Sequence, residues 1–325
     1  MPTSIKYFTF EVTRRCNGRC IYCNIWKDTE HENELTVDDL TARLLPYRQH
    51  FREVVSIAIT GGEPFLRDDL PVICARLKFL SPKARFGLVT NGLCPDKVVE
   101  TMKKIREIDA ACGIGVSIDG FYPEDQQLRG SNVHYELAWT TVRRLLENRF
   151  NVSVGSTLTR INIGRALEFK SFCEERVNVK WMFQIVGESV HYYDNLKRID
   201  GISLTSKDLE MLEKVCQATA EQVFPHYLVK YMKEKKQIIP CFSGFTGFFL
   251  NSRGTVYPCI HLNSPLGNIK EEQFGDVWMG EKARAIRKDI VRKACHCFTP
   301  CEVCSWGEAN FLPLLKIRLK KRLGG

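Results

Sequence analysis

The sequence predicts an α/β fold in which six strands alternate with six helices over the first 225 residues. Two observations predict it. Short apolar, β-branched segments are each followed by a segment of helical periodicity, and the strand segments end in glycine or polar residues. Such alternation is typical of parallel strands joined by right-handed helical crossovers.

The elements follow one another in regular order. The predicted strands lie near residues 5–12, 53–60, 84–90, 113–119, 151–158 and 179–186. The predicted helices lie near residues 36–49, 68–80, 95–108, 134–149, 163–176 and 205–222. Because parallel strands point the same way, the polar residues that follow them should meet at one rim, where barrel folds build their sites.

Composition is that of a catalytic domain with a smaller appendage. The 325 residues are 44% hydrophobic and 26% charged, enough for a sizeable core, and we divide them into domains at 1–225 and 226–325. No apolar run is long enough to span a membrane and no signal peptide is visible, so we expect a cytoplasmic protein. In that compartment 14 cysteines indicate metal sites rather than disulfides.

The first candidate site is a group of three cysteines that directly follows the first predicted strand. Cys16, Cys20 and Cys23 have the spacing Cys-x3-Cys-x2-Cys, and the next cysteine is Cys74. Iron–sulfur clusters usually take four cysteines, and structural zinc sites are closed by four ligands. Three ligands therefore indicate a metal centre with an open position. The alternative is a zinc knuckle, or three unrelated cysteines.

A second motif follows the second strand, and it consists of Gly61, Gly62, Glu63 and Pro64. Two glycines allow the backbone to approach a ligand closely, and a carboxylate accepts hydrogen bonds from an ammonium group. Taken alone, the Gly-Gly pair would also suit a simple turn.

Polar residues also end the later strands. These are Asn91, Ser117, Asp119, Ser156 and Arg160. They are candidate cleft residues, and Asp119 is a candidate for acting on a substrate proton. The alternative for each is a turn-forming or helix-capping role.

The cysteine loop, with Tyr22 before Cys23 and a β-rich lead-in at residues 8–16, resembles the signature of the radical S-adenosylmethionine (SAM) superfamily. The resemblance implies a partial (β/α)6 TIM-like barrel in which the three cysteines hold a [4Fe-4S] cluster. It implies that the methionyl amine and carboxylate of SAM bind the fourth iron. It also implies that residues 61–64 contact the SAM amino group, and that Ser117 and Asp119 reach the ribose or the substrate.

The same resemblance implies the chemistry. The reduced cluster would pass an electron to the SAM sulfonium, releasing methionine and a 5′-deoxyadenosyl radical that abstracts hydrogen from a substrate. The barrel would supply positioning and exclusion of solvent.

A second metal site is predicted near the C-terminus. Its six cysteines are Cys241, Cys259, Cys295, Cys297, Cys301 and Cys304. Residues 248–259 read as a hairpin with Gly254 at its bend, and Gly267 and Trp278 continue a pattern that resembles the SPASM and twitch auxiliary-cluster domains.

The cysteine count favours one auxiliary [4Fe-4S] cluster, because two four-cysteine clusters would need more ligands than are present. Cys241 and Cys259 would be joined by Cys297 and Cys301, or alternatively by Cys301 and Cys304. A zinc site made of the same residues is the rival. The scattered cysteines are expected to be small buried hydrophobes; they are Cys74, Cys94, Cys112, Cys173 and Cys216.

Three functions stay open. The first is oxidation or redox-coupled rearrangement of a sugar-like or lipid-like small molecule. The second is maturation of a peptide, against which stand the start of the barrel near Met1, with no preceding peptide-recognition domain, and the shortness of the appendage. The third is a non-catalytic metal-binding scaffold.

The net charge of +9 includes five charges in residues 314–323, which read as a basic amphipathic helix. Such a helix would lie on anionic lipid, dock a partner or pack on the core. The remaining charge does not predict a nucleic-acid partner. A basic surface would attract an acidic reductant such as ferredoxin or flavodoxin.

Overall fold

The computed structural model describes residues 4–219, 223–234 and 241–292 of the chain. Its first six strands are Tyr7–Thr13 (β1), Ser56–Gly61 (β2), Arg85–Thr90 (β3), Gly113–Ser117 (β4), Asn151–Leu158 (β5) and Lys180–Ile185 (β6). They pair in parallel and in sequence order, which confirms the predicted alternation. Over the described residues the sheet is open, as expected of a partial barrel, with β6 at one edge.

The helices cover the outside of this sheet. They are Val37–Leu44 (α1), Arg48–Phe51 (α2), Leu70–Leu80 (α3), Pro95–Ile108 (α4), Glu124–Arg129 (α5), His134–Glu147 (α6), Ala166–Ser171 (α7), Leu209–Ala218 (α8), Val223–Glu234 (α9), Phe274–Met279 (α10) and Glu281–Val291 (α11). The first predicted helix is divided because Pro46 begins a 3-10 turn at Leu45–Tyr47. The short α5 lies between the predicted strand at 113–119 and the predicted helix at 134–149, and it carries a residue of the site.

The inner face of the sheet has small side chains in register. Thr9 of β1 pairs with Ala58 of β2, and Ala58 pairs with Gly87 of β3. On the opposite face of β1, Phe8 and Phe10 are buried in the main core. Side chains alternate along a strand, so one face packs against the helices while the other leaves an open space inside the barrel.

The C-terminal hairpin extends the same sheet beyond β1. Its strands are Gly247–Leu250 (β7) and Thr255–Tyr257 (β8), followed by Gly267–Asn268 (β9). β7 pairs in parallel with β1, and Phe248 stacks on Phe8 with ring centroids 4.9 Å apart. Gly254 has a φ of +90° at the predicted bend. The hairpin prediction is confirmed, and the hairpin is joined to the barrel rather than separate from it.

A buried ionic junction fixes the hairpin turn to the end of β1. The fully buried Glu11 carboxylate accepts a hydrogen bond from Arg14 at 2.9 Å and from the Ser252 hydroxyl at 2.9 Å. Arg14 also contacts Asp28 at 2.7 Å, and Asp28 accepts a bond from Arg253 at 2.6 Å. The junction therefore joins the chain just before Cys16 to the C-terminal hairpin.

Four of the scattered cysteines are buried as expected: Cys74, Cys112, Cys173 and Cys216. The prediction is wrong for Cys94, which is half-buried and accepts a weak hydrogen bond from Asn17 of the cysteine loop, with 3.4 Å between Nδ2 and Sγ. None of the helices among the described residues is both long and apolar enough to cross a membrane.

Candidate active site

The cysteine loop and the strand ends of the barrel enclose one cavity of about 310 Å³. Seven of the predicted site residues line it: Cys16, Cys20, Cys23, Gly61, Gly62, Asn91 and Ser117. The first three come from the loop after β1, and the others from the ends of β2, β3 and β4. The expected convergence of polar strand ends on one rim is thus seen for these residues.

Two of the loop's thiols lie close to Gly18. A Cβ atom added to Gly18 would lie 3.5 Å from Cys16 Sγ and 3.9 Å from Cys20 Sγ, so these two thiols flank the same glycine. The Asn91 side-chain amide donates a 2.8 Å hydrogen bond to the Asn17 side-chain oxygen. The Ile21 backbone amide donates one of 2.9 Å to the Leu128 carbonyl. The loop is therefore fixed at both ends by its neighbours.

Burial sets the protonation state of these cysteines. It raises the pKa of Cys16 to about 12 and that of Cys23 to about 12, and it also raises the pKa of Cys20. At neutral pH these buried thiols would lose their protons only when the positive charge of a bound metal stabilises the thiolate form. In the described part of the chain, no three His, Cys, Asp or Glu side chains close on a single ion. Three cysteines that line one cavity fit an iron–sulfur cluster with one open coordination position.

Gly61 and Gly62 allow the loop to lie directly on the end of β2. Gly61 has a φ of +140°, and a Cβ there would be 2.2 Å from the Thr13 carbonyl oxygen. A Cβ on Gly62 would be 2.3 Å from the Arg15 carbonyl oxygen. The amides of Gly62 and Glu63 donate bonds of 2.8 and 2.7 Å to these two carbonyls. Only glycine permits this approach, so the pair positions the cysteines as well as lining the cavity.

Glu63 and Pro64 are buried behind the cavity wall. The Glu63 carboxylate accepts hydrogen bonds from the Thr90 hydroxyl at 2.9 Å and from the Asn91 backbone amide at 2.7 Å. Burial nevertheless raises its pKa to about 7. The carboxylate joins the end of β2 to the end of β3, and its contact with a ligand's ammonium group stays a prediction.

Asp119 is also buried and does not line this cavity. Its carboxylate accepts hydrogen bonds from Tyr22 at 2.7 Å, from Arg129 at 2.8 Å and from the Thr157 amide at 2.7 Å. Both of its oxygens are therefore occupied by neighbours. This placement does not support the expected role of Asp119 in moving a substrate proton.

The structure does not bring Ser156 or Arg160 into the cavity. Ser156 is buried, donating to the Ile118 carbonyl at 2.5 Å and accepting from Trp181 at 2.8 Å. Arg160 is exposed, and its backbone amide donates to the Ile202 carbonyl at 2.9 Å. Ser156 joins β5 to the end of β4 and to β6, and the Arg160 backbone joins the end of β5 to Ile202.

Several cavity residues were not predicted from the sequence; they are Arg129, Thr157, Gln184, Tyr192, Tyr193 and Ile260. Arg129 is 7% exposed, and its Nη1 lies 3.8 Å from Cys20 Sγ. The sequence feature that could have indicated a helix ending at Arg129 is Gly130, which caps α5 with a φ of +66°. A helix as short as α5 has too little periodicity to be detected.

Residues 187–195, which we call the strap, pass from the cysteine loop to the C-terminal hairpin. The Asn195 amide donates to the Tyr22 carbonyl at 2.8 Å, and the Tyr192 hydroxyl lies 2.6 Å from the Thr60 hydroxyl. His191 Nε2 lies 3.0 Å from the Cys259 carbonyl oxygen. The strap thus closes one side of the cavity and connects it to the second cysteine group.

The described part of the second group contains Cys241, which is half-buried, and Cys259, which is buried. The Leu262 amide donates to Cys259 Sγ at 3.3 Å. Cys295, Cys297, Cys301, Cys304 and residues 314–323 lie outside the described residues. Their assignments, and the number of auxiliary clusters, stay predictions.

Comparison with known proteins gives two family matches. Residues 10–171 match the radical SAM superfamily, and residues 241–305 match the SPASM iron–sulfur cluster-binding domain. Over 300 residues the chain is 25% identical to the Fe-coproporphyrin III synthase of Methanosarcina barkeri, covering 83% of this chain and 72% of the relative. Over 303 residues it is 23% identical to the sporulation killing factor maturation protein SkfB of Bacillus subtilis, covering 91% and 69%.

A solved structure shares the fold. Streptococcus suis SuiB bound to S-adenosylmethionine superposes with a TM-score of 0.66 at 17% identity, covering 87% of this chain and 68% of that chain.

We expect Gly62→Ala to displace the cysteine loop, because the new Cβ would overlap the Arg15 carbonyl. The free energy of unfolding should fall by roughly 1–3 kcal/mol, and the reconstituted protein should retain less iron after desalting. Gly155→Ala is the matched control, since a Cβ at Gly155 meets nothing within 4 Å. Wild-type stability and iron content in the Gly62 variant would contradict the positioning role of this glycine.

Proposed function

Because the chain belongs to the radical SAM superfamily and carries a SPASM iron–sulfur cluster-binding domain, we propose that it cleaves SAM reductively and abstracts hydrogen from a substrate. The family membership confirms the predicted resemblance and implies a [4Fe-4S] cluster, SAM and auxiliary iron–sulfur clusters. The observation that carries the proposal is the convergence of Cys16, Cys20 and Cys23 on one cavity at the end of β2.

The residues that would hold these groups follow from the cavity wall. Cys16, Cys20 and Cys23 would bind three irons of the cluster, leaving one iron for SAM. When bound, the cluster and SAM together supply a 5′-deoxyadenosyl radical. Gly61 and Gly62 line the space beside the cysteines, and the buried guanidinium of Arg129 would favour an anionic group there.

The chain's own contribution is enclosure and orientation. The small side chains of Thr9, Ala58 and Gly87 leave room above the sheet, while Tyr192 and Tyr193 of the strap form the facing wall. A reactive radical is useful only where water and other hydrogen donors are kept out. The strap therefore has a direct part in the proposed reaction, since it separates the cavity from its surroundings.

For the substrate we propose a small molecule that undergoes oxidation or a redox-coupled rearrangement. The likeness to a relative named as a porphyrin synthase supports this. The proximity of the strap to Cys259 supports a redox reaction, because an auxiliary cluster would accept an electron from the substrate radical. The second candidate is a peptide maturase, which the likeness to SkfB favours.

We expect simultaneous substitution of Cys16, Cys20 and Cys23 by alanine to abolish formation of 5′-deoxyadenosine from SAM. The measurement is liquid chromatography with mass spectrometry after anaerobic reconstitution and reduction with dithionite. Cys94→Ala is the matched control, because this half-buried cysteine adjoins the loop without lining the cavity. If 5′-deoxyadenosine still forms without the three thiols, the proposal is wrong.

Iron and sulfide counting separates enzyme from scaffold. About eight irons in the wild type would fit two [4Fe-4S] clusters. Zinc without sulfide would support the non-catalytic scaffold instead.

The substrate class is tested by isotope transfer. Extracts of cells grown in deuterated medium are separated by mass, and the low-mass fraction is treated with protease before it is added to enzyme, reductant and SAM. We expect deuterium in 5′-deoxyadenosine with the protease-treated low-mass fraction. Deuterium only with untreated or high-mass fractions would reject the small molecule in favour of a peptide.

We also propose that an acidic protein reductant docks on the outer surface of the cysteine loop. Arg15 and Arg19 lie beside or within the loop, Lys27 follows it, and these three residues and Arg198 are exposed. The Arg198 guanidinium donates to the Ile21 carbonyl at 2.6 Å, which places its charge against the loop. The inner surface faces the cavity, so an electron donor has access from the outside.

The double variant Arg15→Glu/Lys27→Glu should lower the ratio of flavodoxin-driven to dithionite-driven SAM cleavage by about fivefold or more, most strongly at low salt. Complementary charges speed encounter, and charge reversal removes that advantage. Lys104→Glu/Arg143→Glu is the matched control, because these exposed residues lie on α4 and α6. An unchanged ratio in the first variant would place the docking surface elsewhere.

A further inference from the structure

We propose that Asp119 is a positioning residue that directs Arg129 toward Cys20 and anchors Tyr22 between two cluster ligands. The inference rests on the proposed function, since it concerns the same cysteine loop. It assigns Asp119 a task in building the metal site, in place of the substrate proton transfer expected from its position at the end of β4.

Both oxygens of the Asp119 carboxylate are held by neighbouring groups. It is 1% exposed, and its oxygens receive four contacts. Oδ1 accepts from Arg129 Nη2 at 2.8 Å and from the Thr157 amide at 2.7 Å. Oδ2 accepts from the Tyr22 hydroxyl at 2.7 Å and lies 2.7 Å from Arg129 Nε. A carboxylate held on all sides is a structural anchor rather than a group free to accept a substrate proton.

The guanidinium group of Arg129 is planar, and this planarity fixes its orientation. Asp119 contacts two of the three nitrogens of Arg129, which are Nε and Nη2. Because the group is a rigid plane, holding two nitrogens fixes the direction of the third. That third nitrogen, Nη1, points to Cys20 Sγ at 3.8 Å. The carboxylate thus determines where the positive charge meets the cysteine loop.

Tyr22 lies in the sequence between Cys20 and Cys23. Its hydroxyl is held by Asp119, and its ring lies beside Arg129, with 5.7 Å between the guanidinium carbon and the ring centroid. Asn195 of the strap holds the Tyr22 carbonyl. Fixing this residue at both its side chain and its backbone fixes the short segment that joins two ligands.

The anchor itself is rigid. The Asp119 amide donates to Asp125 at 2.8 Å, and its carbonyl accepts from Asn162 at 2.5 Å. Asp125 is in turn 2.6 Å from His134 at the start of α6. Buried polar groups connected in this way cannot move singly without leaving a partner unsatisfied.

The arrangement has an electrostatic consequence for the cluster. A reduced cluster carries one more negative charge than the oxidised form, and hydrogen bonds to its sulfurs raise its reduction potential. The Arg129 charge beside Cys20 therefore favours the reduced state. Asp119 does not line the cavity and acts by orienting Arg129 and Tyr22, which both line it.

Three variants separate these contributions in the full-length reconstituted protein, with SAM and substrate left out. They are Asp119→Asn, Arg129→Gln and Tyr22→Phe. Asp109→Asn is the matched control, because Asp109 is a buried carboxylate held by Lys78 and by the Phe86 amide at the opposite end of the strands. The readouts are hydrogen–deuterium exchange of amides 16–24 and the reduction potential of the SAM-binding cluster.

We expect exchange of amides 16–24 to be about tenfold faster or more in Asp119→Asn, and unchanged in Asp109→Asn. Arg129→Gln should shift the reduction potential to a more negative value. Tyr22→Phe should raise exchange without shifting the potential, and it keeps the test available if Asp119→Asn fails to fold, since it removes a single hydroxyl.

Wild-type exchange of amides 16–24 in Asp119→Asn would overturn the positioning role. An unchanged potential in Arg129→Gln would overturn the contact with Cys20. Neither result depends on SAM cleavage, so a failure of the proposed function is recognised separately.

Discussion

The site depends first on the close approach of residues 13–15 to Gly61 and Gly62. Two amide–carbonyl bonds join these segments at 2.7 to 2.8 Å, at a distance that a side chain on either glycine would prevent. The chain leaves β1 in this constrained direction and reaches Cys16 one residue later. Neighbouring parallel strands therefore set the direction in which the loop begins, and α5 holds its later part through the Leu128 carbonyl and Arg129.

The strap connects the cysteine loop to the C-terminal hairpin. It contacts Tyr22 on one side and Cys259 on the other, and its tyrosines face the cavity. The ionic junction of Glu11 and Arg14 with Ser252 gives a second connection between the same regions. Since both connections are built from buried polar contacts, loosening one cysteine group would disturb the other.

The six-stranded core could be predicted because its pattern is local: β-branched segments and helical periodicity appear in the residues themselves. The cysteine loop, Gly61, Gly62, Asn91 and Ser117 could be placed for the same reason, as they follow strands directly. Asp119, Ser156 and Arg160 share that sequence position, yet their environment is set by residues far along the chain. Arg129 and the strap lie in segments without periodicity, and only tertiary contacts bring them to the cavity.

Burying charge beside a metal site is costly unless each charge has a partner in place beforehand. Two guanidinium groups meet this condition here: Glu11 and Asp28 hold Arg14, and Asp119 holds Arg129. Burial raises the pKa of both Cys23 and Cys20. The Arg14 charge partly opposes this rise at Cys23, and the Arg129 charge partly opposes it at Cys20. Removing one partner of a buried pair typically costs about 3–5 kcal/mol. Cys16 has a neutral partner instead, with 3.9 Å between its Sγ and Nδ2 of the Asn91 side-chain amide. The loop is thus paired and oriented by the protein alone, so that cluster binding completes a site whose charges are already in position.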